Sequence, residues 1–136
     1  MDYSDMTVLI VDDDINFRFF LKKTMQLNFK VNIVEAGNPQ VAFNYLNYNM
    51  PSMIILDLEM PVMDGFTALK TIRNNQLTKD IPVIICSALS EKELILKLSE
   101  HRISDYIIKT STIEVITEKI KKVLDSILKA NLKNPE

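Results

Sequence analysis

The sequence predicts one α/β domain built on a doubly wound, five-stranded parallel sheet. Three observations carry this reading. Five short apolar runs, each of four to six residues, recur along the 136-residue chain. A segment with helical spacing follows each of them. The runs are apolar at successive positions rather than at alternate ones, as strands covered on both faces are. Strand–helix units repeated in this way form a parallel sheet with right-handed crossovers and helices on both sides.

The first run, T-V-L-I-V at residues 7–11, stops at Asp12, Asp13 and Asp14. Residues 15–29 then place Phe17, Leu21 and Met25 four apart, on one helical face. The second run is 31–36. Asn38 and Pro39 mark the next helix start: the amide caps, and proline at the first helical position has no N–H to lose. The third run, 53–56, ends at Asp57. Asp64 is expected to cap the helix carrying Phe66, Leu69 and Ile72, and Gly65 to serve the backbone geometry of the turn. The fourth run, 81–86, leads into Ser87, with Cys86 as a small core residue. A helix is expected over 90–100, with His101 on the surface. The fifth run, 105–108, ends at Lys109. The last helix, 112–130, carries Ile113, Ile116, Ile120, Val123, Leu124 and Ile127 on one face. Glu118 and Lys122 should pair on its wet side, where Lys119, Lys121 and Lys122 form a solvated face. The domain is expected over residues 1–131, with a polar tail or linker stub over 132–136. Five units favour the flavodoxin-like strand order 2-1-3-4-5 over a closed barrel, which needs about eight.

Composition narrows the function. A net charge of −2 gives no electrostatic reason to expect nucleic acid or an acidic membrane as partner. No apolar run approaches the ~18 residues of a membrane span. The opening M-D-Y-S-D-M-T-V lacks the basic and apolar regions of a signal peptide. One cysteine allows no internal disulfide and suits a reducing compartment. A cytoplasmic location is expected.

In a parallel sheet all strand C-termini meet at one edge. Strands 1 and 3 are neighbours at the topological switch point, where ligands of such folds bind. That edge should therefore gather Asp12, Asp13, Asp57, Ser87 and Lys109. Two carboxylates about 4 Å apart repel by roughly 4 kcal/mol at an effective dielectric near 20. Lys109 offsets one charge, and a divalent oxygen-seeking cation such as Mg²⁺ would neutralise the rest. A metal beside a lysine and a hydroxyl is equipment for phosphoryl transfer. Asp14 would cap the first helix.

These residues resemble a known family. V-D-D near the start, I-I-L-D-L-E-M-P-V-M-D-G in the middle, P-V-I-I-C-S-A later and D-Y-I-I-K near the end are similar to the receiver domain of two-component response regulators, most of all the single-domain chemotaxis type. The resemblance covers about residues 5–130. It implies that Asp57 accepts a phosphoryl group from the phosphohistidine of a histidine kinase or phosphotransfer protein. It implies that Asp13 binds Mg²⁺ directly, Asp12 mainly through water, and that the backbone carbonyl of Glu59 is a further ligand. Ser87 and Lys109 would hold phosphoryl oxygens, and Tyr106 would turn inward when the hydroxyl moves. A downstream target would read a face at about residues 90–128. The chain would be a signalling module rather than an enzyme. It departs from the family pattern at Lys109-Thr110, where Lys-Pro is usual, at Arg102-Ile103, where Gly-Ala is frequent, and at Ser87, where threonine is commoner. Without proline the Lys109–Thr110 bond is expected to be trans, because a cis bond there costs about 3–4 kcal/mol.

Two rival readings use the same residues. One is a degenerate receiver that docks without phosphorylation. The other is a haloacid-dehalogenase-type phosphatase with Asp12 as nucleophile, which Asp12-x-Asp14 resembles. That family expects threonine or valine two residues past its second aspartate, where this chain has Asn16.

Overall fold

The structure is a computed structural model, and it describes residues 2–61, 63–89 and 92–133. Five strands, β1 (Thr7–Val11), β2 (Asn32–Ala36), β3 (Met53–Leu56), β4 (Val83–Ser87) and β5 (Asp105–Ile108), alternate with five helices. These are α1 (Ile15–Phe29), α2 (Pro39–Leu46), α3 (Gly65–Asn74), α4 (Lys92–Ser99) and α5 (Ile113–Lys133). All described pairings are parallel, in the order β2-β1-β3-β4-β5. The doubly wound, flavodoxin-like arrangement expected from the sequence is the one found.

The strands sort their side chains by parity, as a pleat must. Val8, Ile10, Met53, Ile55, Ile84, Cys86 and Ile107 face one layer, with Leu21, Met25 and Phe29 of α1 and Ile116, Ile120 and Leu124 of α5. Leu9, Val11, Ile54, Leu56, Val83 and Ile85 face the other, with Ala42 and Leu46 of α2, Leu69 and Ile72 of α3 and Leu98 of α4. Both faces are dry along β1, β3 and β4, so these strands show no polar alternation in sequence.

Local chemistry sets the ends of the helices. Asp14 Oδ1 accepts from the amides of Asn16 and Phe17 at 3.0 and 3.2 Å, Asn38 from Val41 at 3.0 Å, and Asp64 from Thr67 at 2.7 Å. Each occupies an N-cap and satisfies an otherwise orphaned N–H. Helix α1 closes on Lys30 at φ 55°, where the Lys30 amide donates to Gln26.

Several expected boundaries shift. Strand β2 begins at Asn32 rather than at residue 31, and β4 at Val83, directly after a proline that has no N–H for a ladder. The start expected for helix 4 at Ser90 lies outside the described residues, and α5 continues to Lys133. The i,i+4 ion pair on α5 joins Lys121 to Asp125 at 2.9 Å, not Glu118 to Lys122, because the Tyr3 hydroxyl also donates to Asp125 and fixes it. Lys119 is no idle surface lysine: its Nζ donates to the Tyr106 carbonyl at 2.7 Å and tethers α5 to β5. His101 is half-buried, edge-on to Phe66 with ring centroids 5.1 Å apart. Arg73, at the end of α3, donates to the carbonyls of Lys79, Ile81, His101 and Arg102 at 2.8–3.1 Å. It staples the loop before β4 to the loop before β5. Among the described residues no helix is long and apolar enough to cross a membrane.

Lys30 is exposed and holds a left-handed conformation that glycine adopts at little steric cost. Lys30→Gly should therefore stabilise the fold by about 0.5–1 kcal/mol, raising the thermal midpoint by roughly 2–5 °C. Thermal unfolding followed by circular dichroism checks this; an unchanged or lower midpoint would show that the lysine carries no strain.

Candidate functional site

The acidic edge is built by the backbone before any side chain is placed. The Asp12 amide donates to the Ala36 carbonyl at 3.1 Å and the Asp57 amide to Val11 at 2.9 Å, so pairing of β1 with both neighbours continues past the strands. The Lys109 amide does the same to Ser87 at 2.8 Å. Parallel register thus carries Asp12, Asp57, Ser87 and Lys109 to one edge.

Asp12 and Asp57 are each 3% exposed and Ser87 is fully buried, whereas Asp13 is exposed. One carboxylate oxygen from each of Asp12, Asp13 and Asp57 lies within 4.8 Å of the others. Lys109 Nζ approaches Asp12 Oδ2 at 2.7 Å and Asp57 Oδ2 at 3.3 Å, bridging the buried pair. The other oxygen of each carboxylate takes a backbone donor: Asp12 Oδ1 accepts from Asp14 at 2.9 Å and Asp57 Oδ1 from Glu59 at 3.2 Å. Hard oxygen donors at this separation suit a divalent cation such as Mg²⁺. The donor set fits.

Burial first, and then the charge of Asp12, push the Asp57 carboxyl up to about 6, against the Glu59 amide and Lys109. Burial also disfavours the charged form of Lys109, but the hydrogen bond to Asp12 and the charge of Asp57 outweigh it and hold the ammonium above the usual lysine range. Burial pushes the Cys86 thiol up to about 12, which leaves it a core group.

The hydroxyl and the aromatic are linked in series. Ser87 Oγ accepts from the Leu89 amide at 3.2 Å, and the Tyr106 hydroxyl donates to the Leu89 carbonyl at 2.6 Å. Tyr106 is buried, at 6% exposure, with its ring already inside. The Lys109–Thr110 bond is trans. Arg102, where the resembled family often has glycine, stands at φ 58°, a conformation that favours glycine.

Gly65 corrects an expectation. Its φ is not positive, so the turn does not demand it for that reason. Its need is space: a Cβ there would lie 2.0 Å from the Asp57 carbonyl oxygen and 2.6 Å from Leu58 Cα. The start of α3 is pressed against the backbone of the buried aspartate, and the Gly65 amide donates to Leu58 at 2.9 Å.

Two residues at the site escape the sequence reading. Arg18 Nη1 donates to the Asp12 carbonyl at 2.6 Å while its Nε pairs with Glu35 at 3.2 Å. Phe17 presents its ring to Lys109, with Nζ 4.7 Å from the centroid. In sequence Phe17 reads as one more member of an apolar stripe. The signal available was its place in the first turn after the acidic loop.

Comparisons with known proteins point the same way. A family model described as the response regulator receiver domain matches residues 8–121. The chain is 30% identical over 118 residues to a chemotaxis protein CheY of Bacillus subtilis, covering 87% of this chain and 97% of that one. It is 32% identical over 129 residues to histidine kinase P4 of Formosa agariphila, covering 93% of this chain but 9% of the kinase. Among solved structures, the receiver domain of the Francisella response regulator 1452 is similar at a TM-score of 0.79 and 27% identity, over 90% of this chain and 98% of that one. A two-component response regulator from Clostridium difficile gives 0.80 and 27%, over 89% and 97%.

Two outcomes follow from this geometry. Gly65→Ala must displace backbone rather than a flexible side chain, so it should cost about 2–4 kcal/mol, at the upper end of single substitutions. Urea denaturation measures it, and a loss below 1 kcal/mol would refute the close approach. Asp57 is less acidic folded, at about 6, than at its ordinary 3.8. Its contribution to stability is therefore fully present below pH ~3.8 and is lost as pH rises through about 6. In chelator, Asp57→Asn should exceed the wild-type stability by about 1–3 kcal/mol above pH ~7, with the gap closing towards pH ~4. A gap independent of pH would mean that charge is not its origin.

Proposed function

The chain belongs to the response regulator receiver domain family, a class of two-component signalling modules, and on that premise we propose that it is a phosphoacceptor switch with Asp57 as the acceptor. The observation that carries the reading is the buried Asp57 carboxylate, 3.3 Å from Lys109 and beside a second buried carboxylate. The donor is a phosphohistidine of a histidine kinase or phosphotransfer protein, or a small acyl phosphate. An Asp57 carboxylate oxygen attacks phosphorus in line. The new O–P bond forms as the bond from phosphorus to the donor breaks, P–N in a phosphohistidine or P–O in an acyl phosphate, and the electron pair leaves with the imidazole or with the carboxylate. Near pH 7 an Asp57 titrating at about 6 is mostly ionised and able to attack.

Asp12, Asp13, Asp57 and the Glu59 carbonyl would hold Mg²⁺, which when bound supplies positive charge to the oxygens of the transferred group. The Lys109 ammonium neutralises the same oxygens from the β5 side. The Ser87 hydroxyl donates to one of them. Turning to do so gives up the hydrogen bond from the Leu89 amide, and Leu89 is the residue that holds the Tyr106 hydroxyl. A change at the acceptor thus has a short hydrogen-bonded route through Leu89 to β5 and to the target-binding face at about residues 90–128. The residue serves as its own reaction centre and turns over no substrate pool.

Incubation with acetyl phosphate and Mg²⁺ should add about 80 Da to the intact mass, one phosphoryl group. The gain should vanish in Asp57→Asn and in chelator. A gain of the same size retained by Asp57→Asn would refute the acceptor assignment.

Asp14 is committed to capping α1, whereas Asp13 belongs to the carboxylate cluster. Asp13→Ala should therefore weaken Mg²⁺ binding about tenfold or more, and Asp14→Ala less than threefold, as losses of a ligand and of a cap differ. Calorimetric Mg²⁺ titration decides; equal losses would erase the distinction.

A further inference from the structure

Lys109 has a third partner that neither family nor spacing foretells. Its ammonium bridges Asp12 at 2.7 Å and Asp57 at 3.3 Å, and it also lies 4.7 Å from the centroid of the Phe17 ring. The Lys109 side chain is 17% exposed, so the contact is largely shielded from water, where a cation–π attraction is strongest. Phe17 is itself fixed. Its amide is capped by Asp14 at 3.2 Å, and its ring packs on Phe20 with centroids 5.8 Å apart.

The two carboxylates that hold Lys109 are the same ones that would ligate a cation. Any cation they take draws their oxygens away from the ammonium. The ring does not compete in this way: it holds an ammonium at its π face, whereas a hard divalent ion prefers oxygen donors. Nor does the backbone beyond Lys109 add a rigid proline, since Thr110 follows through a trans bond. A lysine on a flexible four-carbon stem needs some fixed partner to stay at the acceptor once its carboxylates are engaged.

We infer that Phe17 is a positioning residue for Lys109, its ring face keeping the ammonium beside Asp57 when Asp12 and Asp57 turn to a metal. The inference rests on the reading of Asp57 as phosphoacceptor for its consequence, but its geometry is testable alone. A lysine over a ring face carries a ring-current signature: its Cε protons resonate upfield of those of a lysine surrounded by water. Lys70 and Lys97 over Phe66 and Lys23 over Phe19 carry shifts of their own, so the Lys109 resonance is identified by its loss in Lys109→Arg, and in the wild-type chain it should be shifted both in chelator and in saturating Mg²⁺. Phe17→Leu, which keeps apolar volume without a π face, should abolish it, and Phe17→Tyr should restore it.

Under saturating Mg²⁺, phosphorylation by acetyl phosphate should slow about fivefold in Phe17→Leu and recover in Phe17→Tyr, the scale of one shielded cation–π contact. The Mg²⁺ affinity of Phe17→Leu should stay within about twofold of wild type, because the ring offers the ion no oxygen ligand. Circular dichroism and amide spectra confirm that each variant is folded. Absence of an upfield shift at Lys109 in the wild type overturns the inference, as does a Lys109 shift that disappears on adding Mg²⁺. Equal slowing in Phe17→Leu and Phe17→Tyr also overturns it, since packing alone would then explain the effect. A wild type that shows the shift in both conditions yet gains no phosphoryl group supports the positioning contact while refuting the phosphoacceptor reading, so the two failures are distinguishable.

Discussion

Two carboxylates, Asp12 and Asp57, are buried side by side and share one ammonium. Most of the upper edge of the molecule is arranged around that constraint. Each carboxylate must be extracted from water, which is costly unless its oxygens are re-partnered. Each is: one oxygen binds Lys109, the other a backbone amide two residues ahead. Those amides exist in the right place because β1 and β3 end in loops that turn immediately. The loop after β3 can turn so tightly because Gly65 lets α3 press on the Asp57 backbone. The loop after β1 is held by Arg18, whose guanidinium takes the Asp12 carbonyl. The site is thus a high-energy arrangement, maintained by the sheet below and by the neighbours above. It leaves Asp57 less acidic than an ordinary carboxylate yet still ionised near neutrality.

Much of this was legible in the sequence because the chemistry falls at strand ends. The bounds of β1, β3 and β5 follow from apolar runs that stop at a charge. The sheet order then follows from topology, and the meeting of Asp12, Asp13, Asp57, Ser87 and Lys109 follows from the order. The N-caps Asp14, Asn38 and Asp64 were readable for a similar reason, since a cap is a local event within four residues. Non-local facts were not readable. Gly65 looks like a turn residue, and only the packing of α3 on Asp57 reveals that bulk, not φ, is the restriction. Phe17 looks like core. Lys119 looks like surface, although its ammonium reaches a carbonyl on β5. In each case residue type fixed what the position can do, while its partner lay outside its own element, seven residues or more away.

The departures from the family pattern acquire a physical sense in this frame. Arg102 carries a left-handed backbone without glycine, yet its carbonyl accepts from Arg73 and its guanidinium reaches the Lys79 carbonyl at 3.1 Å and Asp80 at 3.5 Å. The local strain is offset by tethering. Lys109-Thr110 keeps a trans bond and still delivers the ammonium to both carboxylates, because the lysine stem is long enough to absorb the difference.

The fourfold grip of Arg73 has a mechanical consequence. Its donors tie the loop before β4 to the loop between α4 and β5, at the edge of the sheet remote from the acids. The carboxyl end of α4 is thereby the fulcrum, and the amino end, next to Leu89 and the Ser87 hydroxyl, is the free arm. A rearrangement at the acidic edge can swing α4 as a lever but cannot slide it along its axis without breaking the two hydrogen bonds by which the Arg73 guanidinium holds the His101 and Arg102 carbonyls. Motion generated by a single side chain would reach a partner as rotation of one helix about an anchored point, its amplitude growing with distance from Arg73.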